Sequence, residues 1–185
     1  LYHAEPAIAF QSRMDAPNVL REFSIMELNV KQSPHIDAIE RKILEVLQRR
    51  GDVSHAALAD LVGASTASCW RRIRALEGAG VLGGSVRLVD PKTVGRGVDV
   101  LCQVRMKSQD QRRGKEFEEF VVRRSEIVEC FSMTGDWDYL LRIVVGGVAD
   151  YERFLMRELL AHPSVATASS HFALARVKYT TALPV

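Results

Sequence analysis

The hydrophobic pattern of this chain changes near residues 90–97, and this change limits the possible folds more than any other feature of the sequence. Before it, apolar residues recur at helical spacing, whereas after it runs of alternating polarity take turns with helical runs. Pro91 and Gly95 lie at the change, where proline and glycine interrupt regular structure. The sequence therefore predicts a helical N-terminal half and a strand-rich C-terminal half, joined by a strand and linker over 85–97. Ser85–Val89 is predicted as a short strand, either a wing or the start of a hinge.

Three short helices are predicted in the N-terminal half. Asp37 and Glu40 have the spacing of a capping box, in which each side chain accepts a backbone N–H at the start of a helix. Ser54 and Ser65 are placed to cap the second and third helices. A short turn containing glycine joins those two helices, as in helix-turn-helix motifs. We therefore predict a helix-turn-helix, winged-helix-like domain over 34–84.

The third helix carries polar and basic side chains suited to DNA. Its N-terminus offers N–H donors and the positive end of a dipole, and small hydroxyl residues there can approach phosphates and base edges. The alternative interpretation is that these residues form a solvated basic face with no role in DNA binding. For Arg74, an ion pair with Glu77 is a further alternative. The predicted DNA-binding residues are Ser65, Thr66, Ser68, Arg71, Arg72 and Arg74.

The C-terminal half, over 98–185, alternates strands and helices in the order β-α-β-β-α-β, the split βαβ arrangement. The predicted elements are a strand at Val100–Met106, a helix at Arg113–Ser125, strands at Ile127–Met133 and Tyr139–Val145, a helix from Val148, and an extended segment at Val165–Thr181. Two helices on one face of a four-stranded sheet leave its other face free. We expect that face, with Leu101, Leu140 and Val144, to be buried in a dimer.

Composition excludes several classes of function. Three cysteines without a CxxC pair and five scattered histidines exclude a disulfide framework and a cysteine-rich zinc site. Neither a phosphate-binding glycine loop nor a nucleophile–base pair is present, so we expect no catalytic residues, no metal, no cofactor and no enzyme activity. No run approaches the roughly 20 apolar residues of a membrane span. The sparse cysteines fit a reducing compartment, which predicts a cytoplasmic protein. The net charge of +2 does not by itself indicate nucleic acid.

Residues 1–33 lack periodicity and predict a mobile tail. A short helix within Asn18–Leu28 is the alternative. Met14 and Met26 are both candidate starts of the natural protein. No role can be assigned to this segment from its composition.

Three stretches, in order along the chain, resemble the Lrp/AsnC family of feast/famine transcriptional regulators. They are Ile36–Leu44, then Ser65–Glu77 with its Arg-x-x-x-Leu-Glu, and Gly135–Leu141, which is close to the family's Gly-Asp-x-Asp-[Tyr/Phe] signature. The resemblance covers about Ile36 to Leu183. The chain departs from the family pattern in its long tail, in Glu40 where aspartate is usual, and in Trp137 at the variable position.

The resemblance implies an α+β protein: an N-terminal helix-turn-helix domain that binds double-stranded DNA and a C-terminal βαββαβ, ferredoxin-like domain that senses amino acids. It also implies homodimers that assemble further, for example to octamers, with the effector between subunits near the Gly-Asp-x-Asp turn. These properties would place the protein in the cytoplasm of a bacterium or archaeon, associated with the nucleoid.

The turn has the chemistry that such an effector requires. A free amino acid needs a carboxylate or carbonyls for its ammonium and N–H or hydroxyl donors for its carboxylate. Asp138 is expected to hold the ammonium and the turn Thr134–Asp136 the carboxylate, while Asp136 stabilises the turn. The alternative for this turn is a plain hairpin turn without a ligand. For the apolar residues Val148, Leu160 and Phe172 the alternative is a position in the core or in an interface. The predicted effector-binding residues are Ser132, Thr134, Gly135, Asp136, Trp137, Asp138, Val148, Leu160 and Phe172.

The function predicted from these observations is a sequence-specific transcriptional regulator whose assembly and DNA binding respond to a small molecule, an amino acid. A ligand-independent architectural DNA-binding protein is the alternative. Neither the effector's identity, the target promoter nor the direction of regulation follows from the sequence.

Overall fold

Three helices form at the predicted caps. The computed structural model describes residues 35–108 and 110–185, so the tail predicted over 1–33 lies outside the described residues. The helices are α1 (Ala38–Leu47), α2 (His55–Val62) and α3 (Thr66–Gly78). Asp37 and Glu40 form the predicted capping box of α1, and the hydroxyls of Ser54 and Ser65 accept backbone N–H groups at the starts of α2 and α3. Between α2 and α3 the chain turns at Gly63, whose φ of 71° lies in the left-handed region that favours glycine.

The helices enclose an apolar core of their own. Ile43 of α1, Leu58 of α2 and Cys69 of α3 are almost completely buried in it. Their spacing places one apolar stripe of each helix inwards, as the sequence predicts. This core fixes α2 and α3 in the helix-turn-helix arrangement and leaves the opposite face of α3 in solvent.

The described chain divides into two units, a helical unit and a sheet unit. The sheet unit spans Arg87–Tyr179, and the helical unit takes in the described residues up to Val86 together with Thr180–Val185. This last segment was expected in the C-terminal domain. It groups with the helices because the side-chain amide of Gln48 pairs with the backbone of Leu183. The amide Oε1 accepts the Leu183 N–H at 2.6 Å and its Nε2 donates to the Leu183 carbonyl at 3.2 Å.

The sheet unit has the predicted βαββαβ order. Its strands are β1 (Val98–Met106), β2 (Ile127–Ser132), β3 (Tyr139–Val145) and β4 (Val165–Phe172), in the sheet order β2-β3-β1-β4 with antiparallel neighbours. Its helices are α4 (Gln111–Val122) and α5 (Val148–Phe154), the latter continued by a π-helical turn at Leu155–Leu159. Val100 lies opposite Ile143 and Val104 opposite Tyr139, so alternate residues of both strands face the helices. None of the helices in the two described ranges is long and apolar enough to cross a membrane.

The other face of the sheet is mixed in character. Leu101 is 41% exposed there, whereas Val144, expected on this free face, is already buried within one chain. Arg142 lies between Asp99, at 2.8 Å, and Glu129, at 3.2 Å, and Asp99 also accepts from Arg176. Burial works to raise the pKa of Asp99, but the two arginines outweigh it and lower that pKa.

Two sequence predictions of secondary structure were wrong. Ser85–Val89 forms no strand, because a strand needs a ladder partner and this segment meets none within the described part of the chain; Val86 and Leu88 are exposed. The extended segment predicted to Thr181 pairs with β1 only as far as Phe172.

Candidate nucleic-acid interface and effector turn

Helix α3 has one packed face and one solvent face. Cys69, Ile73 and Leu76 point into the core of the helical unit. Arg71 and Arg74 are exposed on the opposite side, since successive helical residues are rotated by about 100°. The solvent face therefore carries two cations that are accessible to a polyanion.

Arg72 points the other way, and this corrects the prediction that all three arginines project from the helix. Its Nη1 donates to Oδ2 of Asp37 and, at 3.2 Å, to Oε1 of Glu40. These are the two residues of the α1 capping box, whose mutual bonds are kept: Asp37 Oδ1 accepts the Glu40 N–H at 2.9 Å and Glu40 Oε2 accepts the Asp37 N–H at 3.0 Å. Arg72 thus ties α3 to the start of α1.

Arg74 makes the pair with Glu77 that was left open as an alternative. Its Nη1 lies 3.1 Å from the Glu77 carboxylate, and its guanidinium lies 5.7 Å from the centroid of the Trp70 ring. Both side chains of the pair remain largely in water, so the contact orders Arg74 only weakly. Arg74 stays accessible on the solvent face.

The hydroxyl residues sit at the N-terminus of α3 as expected. The Ser65 hydroxyl oxygen accepts the Ser68 N–H at 3.2 Å and so caps the helix, while Thr66 is exposed in its first turn. Ser68 is half-buried. Trp70, which is not among the predicted residues, is 52% exposed beside Arg74. Helical spacing places it a quarter of a turn from the packed face, at the edge of the solvent face, and so could have indicated it.

The predicted effector residues Thr134–Asp138 form the turn between β2 and β3. Gly135 has a φ of 105°, which explains glycine at this position. Arg105 of β1 holds the turn from one side: its Nε donates to the Asp136 carbonyl at 2.9 Å and its guanidinium stacks on the Trp137 ring at 5.0 Å. Thr134, Gly135 and Asp136 are exposed, so a ligand held here needs a second wall.

Asp138 has a structural task that the sequence did not reveal. Its Oδ2 accepts the Met106 N–H at 2.7 Å, and its own N–H donates to the Val104 carbonyl at 3.0 Å. The side chain thereby extends the pairing of β1 with β3 past Tyr139. Its Oδ1 accepts no hydrogen bond from the described residues. The carboxylate is therefore held in a fixed orientation with one oxygen to spare.

The three apolar effector candidates do not surround this turn within one chain. Val148 begins α5 at the opposite end of β3, about 20 Å away at 3.3 Å per strand residue. Phe172 lies towards that same end, with its ring 5.4 Å from that of Tyr151. Leu160 follows the π-helical turn, about 18 Å along the helix from Val148. One chain thus does not place all three against one amino acid bound at the turn.

Within the described residues, no group of three or more histidine, cysteine, aspartate or glutamate side chains is placed to hold a metal ion. The largest upward pKa shifts in the described residues belong to buried or half-buried groups of the sheet unit. Burial, together with the nearby Glu118 carboxylate, raises the pKa of the Cys130 thiol to about 12 and raises that of the Tyr139 phenol. The Tyr139 hydroxyl donates to Glu118 at 3.0 Å.

Two family models match the chain. A model of winged helix-turn-helix DNA-binding domains matches residues 36–82, and the model of the Lrp/AsnC ligand binding domain matches residues 99–183. The two matches coincide with the part of the chain that contains α1–α3 and with the part that contains the sheet.

Curated relatives and solved structures are similar over most of the chain. The DNA-binding transcriptional activator DecR of Escherichia coli is 33% identical over 81% of this chain and 99% of its own length. The glutamate uptake regulatory protein of Zymomonas mobilis is 33% identical over 81% of this chain and 91% of its own. A transcriptional regulator of Neisseria meningitidis, solved as an L-Met complex, superposes with a TM-score of 0.78 at 32% identity, over 81% of this chain and 97% of that one. An AsnC family regulator of Agrobacterium tumefaciens superposes with a TM-score of 0.76 at 42% identity, over 80% of this chain and 96% of that one.

Proposed function

The chain belongs to the Lrp/AsnC family, and from this premise we propose that it reads DNA with the solvent face of α3 and responds to a free amino acid bound at the turn 134–138. The chain is a DNA-binding transcriptional regulator with a ligand-binding domain and is not an enzyme. It acts on the nucleoid, in the cytoplasm of a bacterium or archaeon.

The observation that carries the DNA-binding half of the proposal is the solvent face of α3. Arg71 and Arg74 stand opposite the packed face, where they can reach phosphates or the acceptors of a guanine edge. Ser65, Thr66 and Ser68 lie at the helix N-terminus, where N–H groups and hydroxyls contact backbone phosphates. Arg72 serves this interface indirectly, by positioning α3 against α1.

The turn 134–138 supports a zwitterionic effector. The spare oxygen of Asp138 receives the ammonium, while the exposed N–H groups and the hydroxyls of Thr134 and Ser132 receive the carboxylate. Asp136 and Trp137, held by Arg105, form the outer side of the turn. An apolar amino acid fits best, since Val148, Leu160 and Phe172 offer no charge partner; the regulator of Neisseria meningitidis was solved with L-Met.

Those three residues enter the site from different copies of the chain. The mixed face of the sheet, with Leu101 exposed, forms the dimer interface, and dimers assemble further, for example to octamers. A two-fold dimer presents two α3 helices to successive major grooves, about 34–36 Å apart. An effector bound between copies has different affinities for two arrangements of the subunits. It therefore alters the spacing of the α3 helices without touching them.

The test combines selection of DNA sites from a random library with a thermal-shift screen of the amino acids. An effector at about 100 times its Kd should stabilise the protein by about 2.7 kcal/mol and change its affinity for the selected sites. Wrapping of DNA without a shift from any amino acid would support the ligand-independent architectural function instead. Failure to bind any duplex at low salt would refute the DNA-binding assignment of α3.

A further inference from the structure

Trp70 occupies a position that the proposed interface has not used. It is the fifth residue of α3, about one turn beyond the helix N-terminus, and it is 52% exposed. Single exposed apolar residues are common on protein surfaces, so exposure alone assigns nothing to it. Its neighbours are informative: the exposed Arg74 and Arg71 follow it on the solvent face, and the Arg74 guanidinium lies 5.7 Å from its ring centroid.

These side chains share the half of α3 that faces solvent. At about 100° per residue, Arg71 and Ala67 point most directly away from the packed face, Arg74 lies beside them, and Trp70 lies at the edge of the solvent face next to Arg74. Ala67 is small and lets the helix approach closely. The two cations can reach the phosphates that line a groove, while the indole extends from the edge of the solvent face beside Arg74 and can reach base edges in the same groove.

We propose that Trp70 is a specificity-determining residue that packs its indole against the C5-methyl group of a thymine in the major groove. This methyl is the one apolar group that the major-groove edges of the bases present, and apolar side chains read it. The inference rests on the proposed function of α3 and adds a preference for thymine that the arginines do not supply. The indole N–H, a donor only, can in addition bond a base acceptor beside that methyl.

A second copy of the chain is the competing occupant of this surface. In a two-fold contact the same patch meets itself, so Arg71 and Arg74 would face the arginines of the other copy. Like charges placed against each other oppose association, whereas the same charges favour a polyanion. The charge around Trp70 therefore favours DNA.

The experiment replaces thymine by deoxyuridine, which removes only the methyl group. DNA sites are first selected with the full wild-type chain, and each thymine of the selected site is then exchanged singly. In the wild type, exchange at one position per half-site should weaken binding about fourfold, as expected for one buried methyl group. In Trp70→Ala the exchange at that position should have no effect, and in Trp70→Phe it should keep part of its effect.

Salt dependence and fluorescence separate this role from others. Because tryptophan is uncharged, Trp70→Ala should lower affinity without changing the slope of log K against log salt, whereas Arg71→Ala should reduce that slope by about one unit. In a Trp137→Phe background Trp70 is the remaining tryptophan, and its emission should become protected from acrylamide when the selected duplex is added.

Each alternative result is decisive. Equal sensitivity to deoxyuridine in wild type and Trp70→Ala, with DNA binding otherwise intact, overturns the role of Trp70 and leaves the proposed function standing. A change of oligomeric state in Trp70→Ala, seen by light scattering with unchanged DNA preference, assigns the residue to a protein contact and also overturns it. A wild-type chain that selects no sites removes the proposed function itself, and the role of Trp70 with it.

Discussion

Arg72 of α3 donates to the carboxylate of Asp37, the residue that caps the N-terminus of α1. The same guanidinium nitrogen reaches Glu40, the other member of the capping box, at 3.2 Å. Asp37 is therefore shared between two tasks, because its Oδ1 accepts the N–H groups of Ile39 and Glu40 while its Oδ2 accepts Arg72. The capping box at the start of α1 thus also positions α3, the helix proposed to contact DNA.

The first prediction is that this contact stabilises the helical unit. Arg72→Ala should lower the midpoint of denaturant unfolding, followed by circular dichroism, because it leaves two carboxylates close together without their cation. Arg74→Ala is the matched control: the Arg74 side chain is mostly in water, and its contacts with Glu77 and Trp70 are exposed. The free energy of unfolding of this variant should stay within about 0.5 kcal/mol of wild type. A double-mutant cycle of Arg72→Ala with Glu40→Gln should show coupling; additive effects would mean that the ion pair is not formed in solution.

The second prediction concerns pH. The hydrogen bond from the Glu40 N–H and the Arg72 guanidinium lower the pKa of Asp37 below the ordinary value of about 3.9. A group whose pKa is lower in the folded state contributes stability above its unfolded pKa and loses it as the pH falls through its folded pKa. The free energy of unfolding should therefore decrease as pH falls below about 4, and by a smaller amount in Asp37→Asn. An equal decrease in both proteins would exclude Asp37 as its source.

The third prediction separates Arg71 from Arg72 at the DNA interface. Arg71→Ala should weaken binding to a selected duplex and reduce the slope of log K against log salt by about one unit, as loss of one phosphate contact requires. If Arg71 instead contacts a base, the variant should also relax sequence preference. Arg72→Ala should keep the wild-type slope at temperatures where it is folded, because its guanidinium is committed to Asp37 and Glu40. A reduced slope in Arg72→Ala would return Arg72 to the set of DNA contacts.

How far the sequence predicts this molecule depends on how local each feature is. Capping boxes, serine caps and the alternation at Val100–Val104 arise from neighbouring residues, and the structure confirms them. The contact of Arg72 with Asp37 and that of Gln48 with Leu183 join residues far apart in sequence. Helical spacing places Arg72 nearer the packed face than Arg71 and Arg74. Its partner Asp37 is not encoded by that spacing, because it depends on where another helix begins.

The effector site shows the same limit. The turn at Gly135 is local and was predicted with its strands, whereas the bond from Met106 to Asp138 depends on the register of β1 against β3. The distance between Val148 and the turn follows from the lengths of β3 and α5, which place the two at opposite ends of the sheet. Residues that the resemblance groups together therefore do not all meet within one chain.

The fourth prediction tests that assembly. Leu101 is exposed on the helix-free face of the sheet, opposite His171 of β4 and Arg142 of β3. Leu101→Lys should weaken dimerisation at least tenfold, measured by light scattering over a concentration series, because burying an unpaired ammonium is costly. Val122→Lys, at an exposed position at the end of α4, is the control and should keep the wild-type mass. If wild type scatters as one chain at micromolar concentration, the dimer through this face is excluded.

The last prediction concerns the effector and the carboxylate of Asp138. Asp138→Ala would remove the ligand contact but also the acceptor of the Met106 N–H, so its effects could not be assigned. Asp138→Asn keeps an oxygen that can accept this N–H and removes the negative charge. We expect it to fold, to bind the selected duplex as wild type does, and to lose its response to the amino acid found in the thermal-shift screen. A charged hydrogen bond of this kind contributes roughly 1.5–3 kcal/mol, so calorimetry should show affinity for the effector at least tenfold lower.

Asp136→Asn is the control for this prediction. It removes the same charge from the exposed apex of the turn, where water screens it, and should weaken effector binding less than threefold. The reverse order of the two effects would place the ammonium at Asp136, and an unaltered response in both variants would place the effector away from this turn.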